Sequence, residues 1–437
     1  MNAIRQKTER CLASIADEAG EGARVFTQVH AVTALAEAER ADARRRRAQS
    51  LSALDGVVVS VKDLFDVAGH ATWAGSRVLQ GAPVASVDAP VVARLRSAGA
   101  VTIGKTNMTE FAYSGLGLNP HFGTPSNPFG RGGDRRIPGG SSSGAAVALT
   151  DRMAEISIGT DTGGSVRIPA ALCGLVGWKP TARRIALRGI WPLAPTFDSV
   201  GVLANTVTEC LLTDAIIADS APEALSPPHS PIRLGRLRGY VETELEPHVE
   251  RTYEAALARI AAAGARIDDL VIPELQRIPQ EQPGVTLQSC EAFRVHASLL
   301  EQAGDGYDPR VRQRLELGRH IGTEAYAAAA ATRRELQHIV TRALEGYDAF
   351  LFPTVALEAP PLSAFKEDDT YLLLNRKVLR NTSLINFLDG CALSLPCHEP
   401  NTAPVGLSIA APGGSDDRVL RIARALESLV TLTPRGR

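Results

Sequence analysis

At 437 residues, with 44% hydrophobic and 22% charged residues, the chain has the proportions of a globular protein long enough to bury a large core. Its 47 Lys and Arg balance 48 Asp and Glu, so the charge points to no polyanionic partner, and neither nucleic acid nor a membrane is expected. The first ten residues lack the apolar stretch of a signal peptide, no run reaches about 18 apolar residues, and the six cysteines form no CxxC pair; a reduced, cytoplasmic protein without disulfides, metal or cofactor is expected.

Residues 8–48 carry a helical pattern with short breaks and a buried face around Val25, Phe26, Val32, Leu35 and Ala36. It ends in Arg44, Arg45, Arg46 and Arg47, a charge favoured at a helix C-terminus by the macrodipole. From Gly56 the character changes. Val57 to Val61 is a β-branched run closed by Lys62 and Asp63, as expected of a buried strand ending at a polar edge. Val91–Ala98 predicts a helix and Val101–Gly104 a second strand, a spacing that predicts a parallel α/β sheet.

Residues 115–144 hold nine glycines and four prolines, and so long an irregular stretch inside a compact domain points to function. Ala145–Leu149 then predicts the first turns of a helix, Glu155–Gly159 a strand, and Thr160–Ser165 a second glycine-rich turn. The proline- and serine-rich segment 219–232 reads as a linker or long surface loop. Beyond it the pattern predicts strands at 232–237, 266–271, 349–352 and 405–410, with helices at 247–264, 323–345 and 416–430. Ser415 stands where it would cap the last of these.

Each chemically interesting residue has an ordinary reading when taken alone. Lys62 is a strand-end lysine, and Ser141 or Ser165 a hydroxyl capping nearby backbone. No GxxxxGK[ST] motif supports a phosphate cradle, and the nine histidines fall in no HxxxH or HExxH pattern. The conjunction is different. Gly159-Thr160-Asp161-Thr162-Gly163-Gly164-Ser165-Val166-Arg167-Ile168-Pro169-Ala170, with Cys173-Gly174 and Gly177-Trp178-Lys179-Pro180-Thr181, resembles the core of the amidase signature family. Val59-Ser60-Val61-Lys62-Asp63 resembles its lysine segment, Gly104 to Ala112 its next block, and Gly139-Gly140-Ser141-Ser142-Ser143-Gly144 its second serine segment, 24 positions before Ser165. The resemblance is strongest over 55–205 and extends weakly over the rest.

It implies a three-layer α/β/α fold with a large mixed central sheet in one amidase domain, residues 1–437. Within it, 1–54 is a helical region, 55–210 the signature core, and 211–437 the rest of the sheet with the substrate pocket. It also implies that Ser165 is the acyl-accepting nucleophile, Ser141 a bridging serine after a cis Gly140–Ser141 bond, and Lys62 the base. A serine hydroxyl needs a positioned proton acceptor, and a lysine serves only when burial keeps it neutral. The valines around Lys62 suggest such a setting. The oxyanion hole would use the N–H groups of Thr162, Gly163, Gly164 and Ser165.

Asp161 and Arg167 are expected to shape the turn, Ser142 to hydrogen-bond within the Ser141 loop, and Asp198 to be structural. Met108, Tyr113, Gly139, Gly140, Trp191 and Phe197 are positional candidates for the substrate pocket. Val58 and Cys391 stand where relatives often carry proline, away from the triad. The expected activity is hydrolysis of a small carboxylic acid amide to carboxylate and ammonia or amine, with a homodimer compatible. The alternatives are the glutaminase subunit of a tRNA-dependent amidotransferase and a noncatalytic binding protein on the same scaffold.

Overall fold

A computed structural model describes residues 2–220 and 231–432, so positions 221–230 of the expected linker lie outside the described residues. Eleven strands form one sheet: β1 Phe26–Val29, β2 Val58–Lys62, β3 Val101–Thr106, β4 Ile156–Thr160, β5 Val176–Lys179, β6 Val200–Ala204, β7 Arg233–Leu237, β8 Arg266–Leu270, β9 Ala349–Pro353, β10 Cys391–Pro396 and β11 Gly406–Ala411. Their order is β1-β3-β2-β4-β6-β5-β10-β11-β9-β7-β8. The pairs β2–β3, β2–β4, β7–β8 and β7–β9 are parallel and the others antiparallel, which makes the expected mixed sheet.

The period-2 alternation of the strands sorts their side chains onto two faces. Val59, Val61, Ile156 and Ile158 enter one core cluster, whereas Val58, Val101 and Ile103 enter another together with the helix Ser143–Thr150. On that second face the middle of β2 and β4 carries small groups, Ser60, Ser157 and Gly159. Ser60 and Ser157 share a 2.7 Å hydrogen bond, and Ser157 Oγ also donates to the Ala145 carbonyl at 3.0 Å. The small residues of Ser143–Thr150 therefore approach the sheet closely. A Cβ on Gly159 would fall 2.7 Å from Ser142 Oγ, so glycine is required for that approach. By the same alternation Lys62 shares its face with Val58 and Ser60, the face on which Ser141 sits.

Two expectations are corrected. The N-terminal region is not helical throughout: helices Ala3–Ala16, Gly22–Val25 and Ala31–Arg46 surround β1, which pairs antiparallel with β3 at the sheet edge. Val25 and Phe26 are buried as expected, but the third helix buries Ala34, Ala38 and Ala41, and Val32 is 84% exposed. The small alanines, spaced to share one face, allow close packing against the sheet, and the larger apolar residues were a misleading guide. Of the arginines that close this helix, Arg44 forks onto Asp55 and Arg45–Arg47 are exposed. Second, Ser415 precedes the helix Asp416–Val430 but does not cap it with its side chain; its Oγ accepts from Arg418 instead.

Among the described residues no helix is long and apolar enough to cross a membrane, and no group of three or more His, Cys, Asp or Glu is placed to hold a metal ion. The six cysteines are buried, and none is joined in a disulfide among the described residues.

Candidate active site

Lys62 is the last residue of β2 and has no exposed surface. Its Nζ donates to Ser141 Oγ at 2.7 Å and to Thr160 Oγ1 at 3.0 Å. Among the described residues it makes no ion pair. Burial pushes its pKa down to about 7, against an opposing pull from the carboxylates of Asp161 and Asp198. Such a lysine is largely deprotonated just above neutrality, as a general base must be. Thr160, at the end of the neighbouring strand β4, was not foreseen as a partner of Lys62; parallel pairing of β2 with β4 brings the two strand ends together.

Ser141 follows a cis Gly140–Ser141 peptide bond and precedes the helix Ser143–Thr150. Its carbonyl accepts from Thr109 N–H at 3.0 Å, and Gly140 N–H donates to the Gly115 carbonyl at 2.8 Å. The Ser142 N–H donates to the Ser165 carbonyl at 3.2 Å, tying the two serine segments together. The Ser142 hydroxyl, expected to hydrogen-bond within this loop, has no hydrogen-bond partner among the described residues and is buried against Gly159. Its backbone does the tethering.

Ser165 ends the turn between β4 and the helix Arg167–Cys173 and is 3% exposed. The turn is held from several directions. Asp161 accepts from Gly164 N–H at 2.9 Å and Val166 N–H at 3.2 Å, and Arg167 forks onto both of its oxygens at 2.8 and 3.0 Å. Burial raises the Asp161 pKa, but the Arg167 charge and these hydrogen bonds outweigh it and hold the carboxyl well below the usual range. Arg167 is fully buried within this lattice, as expected of a residue that shapes the turn. Thr162 Oγ1 donates to Asp198 at 2.6 Å, and Asp198 also accepts from Leu193 N–H at 2.9 Å. Burial pushes Asp198 up to about 6.

The carbonyls of the turn are also taken. Thr162 O accepts from Gln288 at 3.1 Å, Gly163 O from Thr382 Oγ1 at 2.7 Å, and Gly164 O from Ile168 N–H at 2.7 Å. Because Gly164 N–H is engaged by Asp161, the N–H groups of Thr162, Gly163 and Ser165 are the ones in this turn without an acceptor in the chain, among the described residues. The site therefore combines a glycine-rich serine turn, a buried lysine whose pKa lies near neutrality and unpaired backbone donors, the kinds of group that acyl transfer uses.

The family model for amidases matches residues 8–420. The chain belongs to the amidase family. It is thereby a hydrolase of carbon–nitrogen bonds. It is 35% identical over 393 residues to 2-amino-5-chloromuconic acid deaminase of Comamonas testosteroni, covering 87% of this chain and 83% of that protein. It is 31% identical to the glutamyl-tRNA(Gln) amidotransferase A subunit of Symbiobacterium thermophilum, covering 92% of this chain and 89% of the other. A solved structure described as "Crystal structure of amidase" superposes with a TM-score of 0.87 at 30% identity, covering 98% and 96% of the two chains.

A cavity of about 100 Å³ adjoins the site of this amidase, its lining including the polar residues Thr160, Thr162 and Asp198 and the apolar residues Leu64, Leu187, Ile190 and Trp191. Of the positional candidates, Trp191 lines this cavity. Met108 is wholly buried, with its backbone N–H on Asn107 Oδ1 at 2.8 Å, and Tyr113 is buried with its hydroxyl on Ser289 at 3.2 Å. Gly139 and Gly140 hold the Ser141 loop, and a Cβ on Gly139 would press on Ile168, Leu172 and Pro169. Phe197 is covered by the Arg333 guanidinium, 4.0 Å from its ring centroid. His121 is bound to Glu110 at 2.8 Å.

Gln288, Thr382 and Asn386 were missed by sequence reasoning. Asn386 donates to the Asp161 carbonyl and carboxylate, both at 2.9 Å, and accepts from Arg167 at 2.7 Å. These residues lie on the long helices Pro283–Ala303 and Asp368–Phe387, whose sequences carry no motif. The only available signal is burial: Asn375, Asn381, Thr382 and Asn386 are polar residues on the inner face of one helix.

Proposed function

We propose that this protein hydrolyses the amide of a small carboxylic acid to the carboxylate and ammonia or a small amine. The carrying observation is the fully buried Lys62 with its Nζ 2.7 Å from Ser141 Oγ. In this reading Ser165 Oγ attacks the carbonyl carbon while its proton passes to Ser141, whose own proton moves to neutral Lys62. The oxygen of the tetrahedral intermediate lies on the N–H groups of Thr162, Gly163 and Ser165. Its collapse breaks the C–N bond, and the proton stored on Lys62 returns through Ser141 to the departing nitrogen. Water then attacks the Ser165 ester along the same route and releases the acid.

The screen that tests this offers aliphatic, aromatic, dicarboxylic and urea-derived amides and reads ammonia release. Turnover of at least one class that is lost in Ser165→Ala is expected; no turnover of any class by folded protein counts against the reading. For a substrate so found, kcat/KM should rise with pH through about 7, because only the deprotonated Lys62 accepts a proton and burial has brought its pKa there. A lysine left in water would place that rising limb near pH 10.

A second reading, a glutaminase subunit that works with partner subunits on charged tRNA, is supported by the 31% identity to the amidotransferase relative. Glutaminase activity that emerges only with such partners would favour it.

A further inference from the structure

The segment that leads into β6 runs beside the nucleophile turn, and strand register places it there. Thr160 of β4 pairs with Val200 of β6. One step on, Asp161 N–H donates to the Ser199 carbonyl at 2.8 Å and Ser199 Oγ donates to the Asp161 carbonyl at 2.8 Å. The next pair meets side chain to side chain, with Thr162 Oγ1 donating to Asp198 at 2.6 Å. The Asp198 carboxyl is itself fixed by Leu193 N–H at 2.9 Å and by Ala194 N–H at 3.2 Å from both oxygens. Thr162 is therefore gripped twice, at its hydroxyl by Asp198 and at its carbonyl by Gln288 at 3.1 Å. A residue held in this way keeps the direction of its N–H through a reaction, which is what preorganised oxyanion stabilisation requires.

The same carboxyl bears on the lysine. Lys62 Nζ donates to Thr160 Oγ1 at 3.0 Å, and Thr160, Thr162 and Asp198 all line the same cavity of about 100 Å³. Asp198 is 7% exposed and ionised above about pH 6, so it carries a weakly screened negative charge while Lys62 loses its proton. That charge favours the ammonium form of Lys62, as does the charge of Asp161, which is paired with Arg167. From the helix Pro283–Ala303 the Glu291 carboxylate, bound to Thr196 N–H at 2.9 Å and to the Tyr326 hydroxyl at 2.9 Å, opposes the ionisation of Asp198. The nearby Arg333 guanidinium is taken up by the Phe197 ring and by the Thr196 and Phe387 carbonyls.

We propose that Asp198 is a positioning residue for both arms of the acyl-transfer site, holding the oxyanion donor residue Thr162 by its hydroxyl and presenting a negative charge to Lys62. The proposal rests on the amide-hydrolysis reading above.

The test follows the rate of fluorophosphonate addition to Ser165 across pH, since the phosphoryl oxygen of this probe takes the oxyanion position and no substrate need be known. Thr162→Val keeps the backbone N–H and the shape of the side chain but removes the hydroxyl. On the high-pH plateau it should label about tenfold more slowly than wild type, short of the roughly 100-fold or more that loss of a whole oxyanion donor costs. Thr162→Ser returns the hydroxyl and should regain most of that loss. Asp198→Asn removes the charge, and its amide can still accept from the Leu193 and Ala194 N–H groups and donate to Thr162 Oγ1. Without the charge the ammonium form of Lys62 is less favoured, so the midpoint of the rising limb should move to lower pH by about half a pH unit or more. A merely structural role would leave that midpoint in place. Asp198→Ser, smaller and uncharged, carries the midpoint test if Asp198→Asn does not fold, and thermal melts check folding throughout. A Thr162→Val protein that labels at the wild-type rate, or an unmoved midpoint in the uncharged Asp198 variant, overturns the proposal. Either result with normally labelled wild type refutes the role of Asp198 alone, whereas folded wild type that takes no label on Ser165 refutes the amide-hydrolysis reading beneath it.

Discussion

Lys62→Arg is expected to lower kcat/KM by about 100- to 10,000-fold, the range associated with loss of a general acid–base group. Arginine keeps a positive charge that it cannot give up at any working pH, so it cannot receive the Ser141 proton. It also brings a larger, permanently charged group into a position with no exposed surface and, among the described residues, no ion-pair partner, so a companion variant is needed. Lys62→Met fills similar volume without charge and removes the desolvation cost of a buried amine. It should fold at least as stably and be as inactive. Steady-state kinetics with a thermal melt on each variant checks both statements. A Lys62→Met protein with near-normal turnover would show that another group accepts the proton.

The largest expected effect on stability falls on the Asp161–Arg167 pair, in which neither side chain has exposed surface. Arg167→Met leaves the Asp161 carboxylate buried with one of its strongest partners removed, and Asp161→Asn leaves Arg167 charged and unpaired. Breaking a buried pair on one side costs about 3–5 kcal/mol. Either single variant should therefore unfold at clearly lower denaturant concentration than wild type. The double variant Asp161→Asn/Arg167→Met should recover part of that loss, because no charge is then stranded. Asp161 also accepts from Gly164 and Val166 N–H, so activity should fall in all three proteins even where stability returns. Urea titrations of the four proteins test the pattern; an Arg167→Met protein as stable as wild type contradicts it.

Much of the site was legible because its parts are short runs with strong local chemistry. The valines of β2 and the glycine–serine turns around Ser141 and Ser165 cannot easily be placed elsewhere in an α/β protein. The family resemblance then ordered them. Strand β1 was not legible, since Phe-Thr-Gln-Val offers four residues inside a helical composition and becomes a strand only by pairing with the edge of β3. Nor was the assignment of individual hydrogen bonds. That Gly164 N–H goes to Asp161, or that Ser142 tethers Ser165 by its backbone and not by its hydroxyl, depends on turn geometry set by tertiary packing. The supports from Gln288, Thr382 and Asn386 lie more than 100 positions from the turn they hold. Nothing local in their helices announces that role.

The central claim is that Ser165 is a nucleophile made reactive by a neutral Lys62, and the rate of fluorophosphonate addition to Ser165, followed by mass spectrometry of its peptide across pH, tests it most directly. Expected is an adduct on Ser165 whose formation accelerates with pH through about 7, where burial places the Lys62 pKa, and is nearly abolished in Lys62→Met. Absence of the adduct from folded wild-type protein, or labelling of Lys62→Met at the wild-type rate, would contradict it.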